Sequence, residues 1–230
     1  MRIIFVNKIF PGIRKHKLLM SMSLKLFVSG ISTNVGKTIV SAILAEALKA
    51  SYWKPVQAGD LDLSDSRKVK SLTKSVMVLE EAYKLSMPMS PHAAAKHDAI
   101  ELPVSLNYPI VEGNLIIEGA GGLLVPINDA GATIADWVSD WELPVILVSK
   151  HYLGSINHTL LTIEALQNRK IPIFGIIFVG DENKDTESII AATNIPIISR
   201  IPMTEHLTKE FILQQASQLS SKIHSLISQS

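Results

Sequence analysis

The amino-acid sequence predicts an α/β protein with a doubly wound, mainly parallel sheet and helices on both faces. Apolar, β-branched runs alternate with helical stretches along the chain. Most of these runs are continuously apolar, which is typical of strands that are covered by helices on both faces. A glycine-rich loop at residues 30–38 joins the first such run to the first helical stretch, and this strand–loop–helix order is typical of parallel α/β sheets.

The predicted strands are the continuous apolar runs, taken in chain order. They cover residues 24–29, 52–56, 115–117, 145–148, 173–179 and 195–198. The predicted helices lie between these runs and begin with the amphipathic stretch after the loop. They cover residues 37–50, 65–72, 76–85, 134–140, 155–168, 185–192 and 205–227. Because ligands of such sheets bind outside the carboxyl ends of the strands, we expect the functional polar residues just after strands.

Length and composition narrow the classes of protein that this chain can belong to. With 230 residues, 47% of them hydrophobic, it can form one α/β domain with a six- or seven-stranded sheet. Its net charge of +1 gives no electrostatic indication of nucleic acid or an anionic membrane as a partner. The absence of cysteine excludes disulfides and thiolate metal sites and fits a cytoplasmic protein. No apolar run approaches the roughly 20 residues that a membrane span needs.

Residues 1–23 are predicted to lie outside the domain, which then covers residues 24–230 as a single unit. The segment carries five basic residues, and its apolar pieces are too short for a secretory signal. It is either an added leader or a stretch that precedes the translation start at Met20 or Met22. The second interpretation is favoured.

The loop has the features of a phosphate-binding loop of the P-loop NTPase type. It reads Gly30-Ile31-Ser32-Thr33-Asn34-Val35-Gly36-Lys37-Thr38. Small residues let backbone N–H groups point at a phosphate, and the following helix adds its positive N-terminal end. Lys37 suits the β- and γ-phosphates, and the Thr38 hydroxyl suits Mg²⁺. The common pattern would put glycine where Ile31 stands, but the flanking strand and helix argue against a chance match. The sequence therefore predicts a nucleoside triphosphate as ligand.

Three charged residues after strands are candidates for the chemistry. Glu118 directly follows the apolar run 115–117, in the position of the carboxylate of a Walker-B segment. Asp65 stands at a helix start, where it is either an N-cap or a ligand of Mg²⁺. Lys54 is either a solvated edge lysine or part of the site. Because Mg²⁺ prefers oxygen ligands, Thr38, Asp65 and Glu118 would form a partial coordination shell.

A helix start after the fourth strand is a further candidate site. Its residues are Gly154, Ser155, Ile156 and Asn157. The free N–H groups of a helix N-terminus can bind an anion such as a carboxylate. The alternative is an ordinary helix capped by serine, and in isolation that alternative is preferred.

Seven segments in register resemble the dethiobiotin synthetase family. They are residues 30–38, 54–56, 90–92, 118–122, 135–137, 143–148 and 153–158. The first is similar to the family's G-T-D-T-x-V-G-K-T loop, and the second to its K-P-V. The resemblance extends from about residue 24 to residue 202. It implies that 7,8-diaminononanoate, CO₂ and ATP give dethiobiotin, ADP and phosphate, through a carbamate and a carbamic–phosphoric anhydride.

The resemblance also assigns roles to residues, with Mg²⁺ as cofactor and ATP as co-substrate. It implies catalysis by Lys37 and Lys54 and metal ligation by Thr38, Asp65 and Glu118. The implied nucleotide-binding residues are Asn34, Val35, Gly36, Lys37, Thr38, Ile39, Glu118, Gly119, Gly121, Gly122 and Pro202. The implied substrate-binding residues are Lys54, Gln57, Ala58, Gly121, Gly154, Ser155, Ile156 and Asn157. A homodimer is implied as well, in which the helix start at residue 154 binds the substrate carboxylate held by the other subunit.

Two departures from the family pattern carry expectations of their own. Ala58 stands where some members have serine, so a hydroxyl contact is absent and Gln57 is a candidate to replace it. The strand 173–179 is followed by Gly180 and Asp181 without the asparagine that reads adenine in relatives. Because a site without base-reading hydrogen bonds loses discrimination, we expect weak selectivity among nucleotide bases.

The alternative is a nucleotide-switched ATPase of the partitioning or septum-positioning type. Such proteins share the fold but usually carry a second lysine early in the loop, and residues 31–33 here contain none. A related synthetase coupled to a glutaminase would need a cysteine nucleophile, which this chain lacks. The ring-closing ligase is therefore the preferred interpretation.

Overall fold

The computed structural model describes residues 23–229, with side chains as far as residue 226. The predicted leader lies outside the described residues, apart from Ser23. The strands are β1 Lys25–Gly30, β2 Ser51–Trp53, β3 Val56–Ala58, β4 Tyr83–Leu85, β5 Leu115–Gly122, β6 Val145–Lys150, β7 Ile173–Val179 and β8 Ile197–Ile201. The helices are α1 Lys37–Leu48, α2 Asp65–Leu72, α3 Pro91–His97, α4 Ile134–Asp140, α5 Ser155–Asn168, α6 Lys184–Ala191 and α7 Lys209–Gln229, with a short 3₁₀ helix at Leu61–Leu63.

The central sheet has six strands in the order β2-β5-β1-β6-β7-β8, and every pair is parallel. The chain leaves β1 toward β2 on one side and later runs from β5 across β1 to β6, β7 and β8 on the other. Right-handed crossovers in opposite directions place helices on opposite faces of the sheet. In agreement, α1 packs against α7, and α5 packs against α6. The doubly wound α/β prediction is confirmed.

Burial along β5 shows that both faces of the sheet are covered. Its first five residues, 115–119, are all buried, so consecutive side chains on opposite faces are all removed from water. Five consecutive buried positions are what the continuous apolar runs predicted. The strand also extends to Gly122, beyond the predicted 115–117, so Glu118 lies within a strand and not after it.

The predicted strand 52–56 is two strands in different sheets. β2 ends at Trp53 in the central sheet, and β3 begins at Val56 and pairs with β4. Pro55 lies between them, and proline has no N–H to continue a ladder. The break leaves Lys54 outside both ladders and buried, with 4% of its surface exposed. Lys54 is therefore not the solvated edge lysine of the alternative interpretation.

The predicted helix 76–85 is wrong, because the segment is extended. Tyr52 N–H donates to the Met77 carbonyl and Leu79 N–H donates to the Tyr52 carbonyl, both at 2.8 Å. The free edge of β2 thus supplies backbone partners to the first part of this segment. The last part of the segment is β4, which pairs with β3. The last strand is also displaced, from the predicted 195–198 to Ile197–Ile201. The remaining helices lie where they were predicted, within a few residues at each end. A further short helix, α3, begins at Pro91, where proline suits the first helical turn.

Candidate active site

The loop between β1 and α1 has the geometry of an anion-binding turn. Gly36 caps α1 with φ = 97°, a left-handed conformation that favours glycine, and no side chain caps the helix. A Cβ on Gly30 would lie 2.6 Å from Val35 Cγ2 and 2.8 Å from the Ser32 carbonyl oxygen, so the loop closes tightly only on glycine. The N–H groups of the first turn of α1 are therefore left for a bound anion.

Lys37, near the end of this loop, is buried, with 7% of its surface exposed. Its Nζ donates to the Ser32 carbonyl oxygen at 3.1 Å. The pKa of Lys37 is lowered to about 8. Burial is the main cause and the positive charge of Lys54 adds to it, whereas the carboxylates of Glu118 and Asp65 oppose the shift. A buried ammonium with one backbone partner is well placed to neutralise a phosphate.

This lowered pKa predicts that nucleotide binding weakens in mildly alkaline solution. The ammonium form of Lys37 would attract phosphates bound at the loop, and above pH 8 the free protein increasingly holds the neutral amine. Because one pH unit above the pKa leaves about a tenth of the protein protonated, the affinity for ADP should fall about tenfold between pH 7 and pH 9. Calorimetry in EDTA measures this change. Lys37→Met should bind ADP weakly at both pH values, and an unchanged wild-type affinity would contradict the assignment.

The side-chain oxygens of Thr38, Asp65 and Glu118 lie close together at the end of the loop. Thr38 Oγ1 lies 2.8 Å from Asp65 Oδ1 and 2.9 Å from Glu118 Oε1. They come from the start of α1, the start of α2 and the middle of β5. Lys54 Nζ contacts Asp65 and lies 3.3 Å from Glu118 Oε1. The break between β2 and β3 therefore brings a lysine to the same point.

The donor set of this cluster fits a hard divalent cation. The Thr38 hydroxyl has one proton but faces two carboxylate oxygens, so one of the two contacts lacks a hydrogen. A cation bound among three oxygens would remove that conflict, and Mg²⁺ takes one or two carboxylates and completes its shell with water and phosphate oxygens. Within residues 23–226 no group of three or more His, Asp or Glu side chains is arranged to hold a metal ion. The fit of this site therefore depends on the Thr38 hydroxyl as well as the two carboxylates.

The charges in the cluster stabilise one another. Burial alone would lower the pKa of Lys54, but Glu118 and Asp65 outweigh it and raise the pKa. Burial likewise opposes ionisation of Asp65, and the adjacent Lys54 lowers its pKa instead. The pair is thus an ammonium and a carboxylate. Removing Lys54 would leave two carboxylates, one of them the buried Glu118, without this cation.

Gln57 supports the cluster from β3. Its Oε1 accepts from the Asp65 backbone N–H at 3.2 Å, and its Nε2 donates to the Gly59 carbonyl at 2.8 Å. The N-cap of α2 is Ser64, which accepts from the Arg67 backbone N–H. Asp65 is therefore not the capping residue, and its carboxylate is left for Thr38 and Lys54.

A cleft of about 730 Å³ opens over these groups. The predicted site residues that line it are Asn34, Gly36, Lys37, Thr38, Ile39, Lys54, Gln57, Ala58, Asp65, Glu118 and Gly121. Those that do not are Val35, Gly119, Gly122, Pro202 and the four residues from 154 to 157. Val35 and Gly119 are buried, and Pro202 is exposed after β8.

The helix start of α5 lies apart from the cleft lining of this chain. Gly154 is its N-cap with φ = 96°, and no side chain caps the helix, so the serine-capped alternative is wrong. Leu153, directly before it, is fully exposed, and Tyr152 and Leu161 are 38% and 54% exposed. The Ser155 N–H donates to the Tyr152 carbonyl at 2.9 Å, so the first turn has one N–H group already bonded. The helix start thus combines an N-terminus without a side-chain cap with an uncovered apolar surface.

Sequence reasoning missed one residue of the cluster. Tyr52 on β2 donates from its hydroxyl to Glu118 Oε2 at 2.8 Å, and both residues are buried. Its spacing of two residues from Lys54 was an available signal, because alternate residues of an extended chain point to the same side. Further cleft-lining residues that were not predicted as site residues are Thr33, Val56, Asp60, Leu63, Lys68, Pro88, Met89, Ser90, Pro91, Ala120 and Val125.

Comparisons with known proteins agree with the geometry. A family model described as "AAA domain" matches residues 24–211. The ATP-dependent dethiobiotin synthetase of Christiangramia forsetii is 51% identical over 201 residues, which are 86% of this chain and 96% of the relative. That of Cytophaga hutchinsonii is 46% identical over 200 residues, 85% of this chain and 96% of the relative.

Solved structures of low identity share the fold. The cell division ATPase MinD of Pyrococcus furiosus superposes with a TM-score of 0.52 at 15% identity, covering 90% of this chain and 99% of that one. The septum site-determining protein MinD of Pyrococcus horikoshii, solved with Mg-ADP, gives 0.51 at 14% identity, with 88% and 94% coverage. At this identity the likeness concerns the fold alone. Among the described residues, every helix is too short or too polar to cross a lipid bilayer.

Proposed function

The chain belongs to the ATP-dependent dethiobiotin synthetase family and to the AAA domain family, and on that premise we propose how its own residues divide the work of the reaction. It is an ATP-dependent cyclo-ligase of biotin synthesis. The observation that supports the residue assignment best is the convergence of Lys37, Thr38, Lys54, Asp65 and Glu118 on one cleft.

The reaction joins one carbon to two amines. One amine of 7,8-diaminononanoate adds to CO₂ and loses a proton to give a carbamate. A carbamate oxygen attacks the γ-phosphorus of ATP, the bond to ADP breaks, and a carbamic–phosphoric anhydride forms. The second amine attacks its carbonyl carbon, phosphate leaves with the bonding electrons, and loss of a proton completes the cyclic urea of dethiobiotin.

Lys37 and Lys54 would stabilise the negative charge that these reaction steps concentrate in the cleft. Lys37 lies beside the phosphate-binding loop, where it would neutralise the β- and γ-phosphates of ATP. Lys54, on the carboxylate side, would hold the carbamate near the γ-phosphate. Fixed positive charges of this kind act most strongly where water is excluded, and both lysines are buried.

Mg²⁺ would be held by Thr38, Asp65 and Glu118. Bound there, it would supply further positive charge to the phosphate oxygens and orient them. The support for this proposal is the oxygen donor set and the single proton that Thr38 offers to two carboxylates.

Phosphate release tests the function directly. The full chain is incubated with Mg-ATP and bicarbonate, with and without 7,8-diaminononanoate, and the product is weighed by mass spectrometry. We expect phosphate release that depends on the diamine, and a product in which one carbonyl replaces two hydrogens. Hydrolysis that ignores the diamine would instead support a nucleotide-switched ATPase.

We further propose a homodimer whose sites are completed across the subunit interface. The uncapped start of α5, at Gly154, Ser155, Ile156 and Asn157, would bind the substrate carboxylate of the partner's cleft. The apolar surface at Tyr152, Leu153 and Leu161 supports an interface here, because exposed apolar patches of this kind mark contact surfaces.

A charge at Leu153 should separate the subunits. Leu153→Asp buries an unpaired carboxylate in the proposed interface, so we expect monomers by light scattering and a loss of turnover of about a hundredfold. Ile110→Asp is the matched control, since Ile110 is equally exposed but lies in a loop far along the chain from α5. A dimeric and active Leu153→Asp protein would contradict the proposed interface.

A further inference from the structure

The two oxygens of the Glu118 carboxylate have separate partners. Oε1 faces Thr38 Oγ1 at 2.9 Å and Lys54 Nζ at 3.3 Å, on the side of the proposed metal site. Oε2 accepts the hydroxyl of Tyr52 at 2.8 Å, inside the protein. Glu118 is 1% exposed and Tyr52 is fully buried, so water does not compete for this hydrogen bond.

The Tyr52 hydroxyl is held in place by the sheet. Its backbone N–H and carbonyl are bonded to Met77 and Leu79 on one side, and β2 pairs with β5 in the register Tyr52 to Ile116 on the other. The backbone of Tyr52 is therefore fixed on both sides, and its fully buried ring has neighbours all round that oppose a movement with Glu118. If the carboxylate turned to present both oxygens to the cleft, a buried hydroxyl would lose its acceptor, which is unfavourable.

We propose that Tyr52 is a positioning residue that restricts Glu118 to one metal-facing oxygen and thereby favours Mg²⁺ over Ca²⁺. This inference rests on the magnesium site proposed above. Mg²⁺ requires near-octahedral geometry and takes carboxylates through single oxygens, keeping several waters. Ca²⁺ is larger, takes six to eight oxygens, and gains from bidentate carboxylates. A Glu118 locked by Tyr52 suits the first ion and not the second.

The test measures ADP affinity in three buffers, containing saturating Mg²⁺, saturating Ca²⁺, or EDTA. Calorimetry on the full chain gives how much each ion strengthens ADP binding, without reference to catalysis. The variant is Tyr52→Phe, which removes the hydroxyl and keeps the ring. Outer-shell partners of metal ligands typically affect metal affinity by 10- to 100-fold, so the strengthening by Mg²⁺ should fall about tenfold. The strengthening by Ca²⁺ should stay or rise, because Oε2 becomes free to coordinate.

Two controls separate this role from general damage to the protein. ADP affinity in EDTA should match the wild type within about twofold, since the hydroxyl contacts no part of the phosphate-binding loop. Tyr108→Phe removes the hydroxyl of a ring that contacts Trp141 and Lys25, the first residue of β1, and should leave the ratio of the two ions unchanged. If Tyr52→Phe does not fold, Tyr52→Leu removes the same hydroxyl and should shift the ratio in the same direction.

The outcomes distinguish a failure of the role inferred for Tyr52 from a failure of the proposed magnesium site. A ratio that stays within about twofold of the wild type, even with both affinities lowered together, would overturn the role of Tyr52 and leave the metal site standing. If neither ion strengthens ADP binding to the wild type, the metal site itself is wrong and the inference falls with it. A shift of the ratio toward Ca²⁺ in the hydroxyl-free variants alone supports both.

Discussion

Lys37→Ala should lower turnover by about a thousandfold, since a lost charge-stabilising donor in a water-excluded site costs 10² to 10³ and Lys37 carries a full charge. The ammonium is buried beside the phosphate-binding loop, so solvent cannot take its place. The measurement is the diamine-dependent release of phosphate at saturating ATP. ADP affinity should fall as well, because the same charge attracts the phosphates before the reaction begins.

The stability of this variant provides the contrast. Burial lowers the pKa of Lys37, which means that the charged side chain makes the folded state less stable. Removing it should leave the melting temperature unchanged or raise it, whereas a structural residue would show the reverse. Lys70→Ala, an exposed lysine on α2, is the control and should retain full activity. A Lys37→Ala enzyme with near-normal turnover would mean that the loop is not the phosphate site.

The elements of the fold that the sequence predicted well have local determinants. α2, α4, α5 and β7 were predicted with the bounds that the structure has, because helical starts and a continuous apolar run are signals within one segment. The segment 76–85 misled the prediction since Val76, Leu79 and Tyr83 recur at helical spacing. All three are half-buried, yet the backbone of this stretch bonds to the edge of β2. An extended segment can thus place apolar residues at helical spacing and bury them.

The same distinction applies to the site. The loop at residues 30–38 is contiguous, so its motif could be recognised directly. Asp65 was recognised from a predicted helix start, and Glu118 from its place directly after the apolar run 115–117. The bond from Tyr52 to Glu118 depends instead on the pairing of β2 with β5, a long-range register that no local pattern carries. The burial of Lys54 likewise depends on two strands that part at Pro55 and enter different sheets.

Glu118→Gln should also lower turnover by about a thousandfold, because a metal ion that contributes several kcal/mol of charge stabilisation would lose an anionic ligand. The amide keeps the shape of the side chain but carries no charge. Of the two carboxylates that pair with Lys54 in the wild type, Asp65 alone would then remain. We therefore expect a lower melting temperature, in contrast to Lys37→Ala.

Nucleotide affinity separates the two roles. At a pH well below the pKa of Lys37, where that lysine stays protonated in both proteins, Glu118→Gln should bind ADP like the wild type in EDTA and lose most of the strengthening that Mg²⁺ provides, whereas Lys37→Ala should bind weakly in both buffers. Glu101→Gln, an exposed carboxylate outside the cleft lining, controls for the change of net charge. If Glu118→Gln kept its dependence on Mg²⁺, the ion would be held without Glu118. A full loss of ADP binding in EDTA would instead place Glu118 with the phosphate-binding loop, since its effect would then precede any metal.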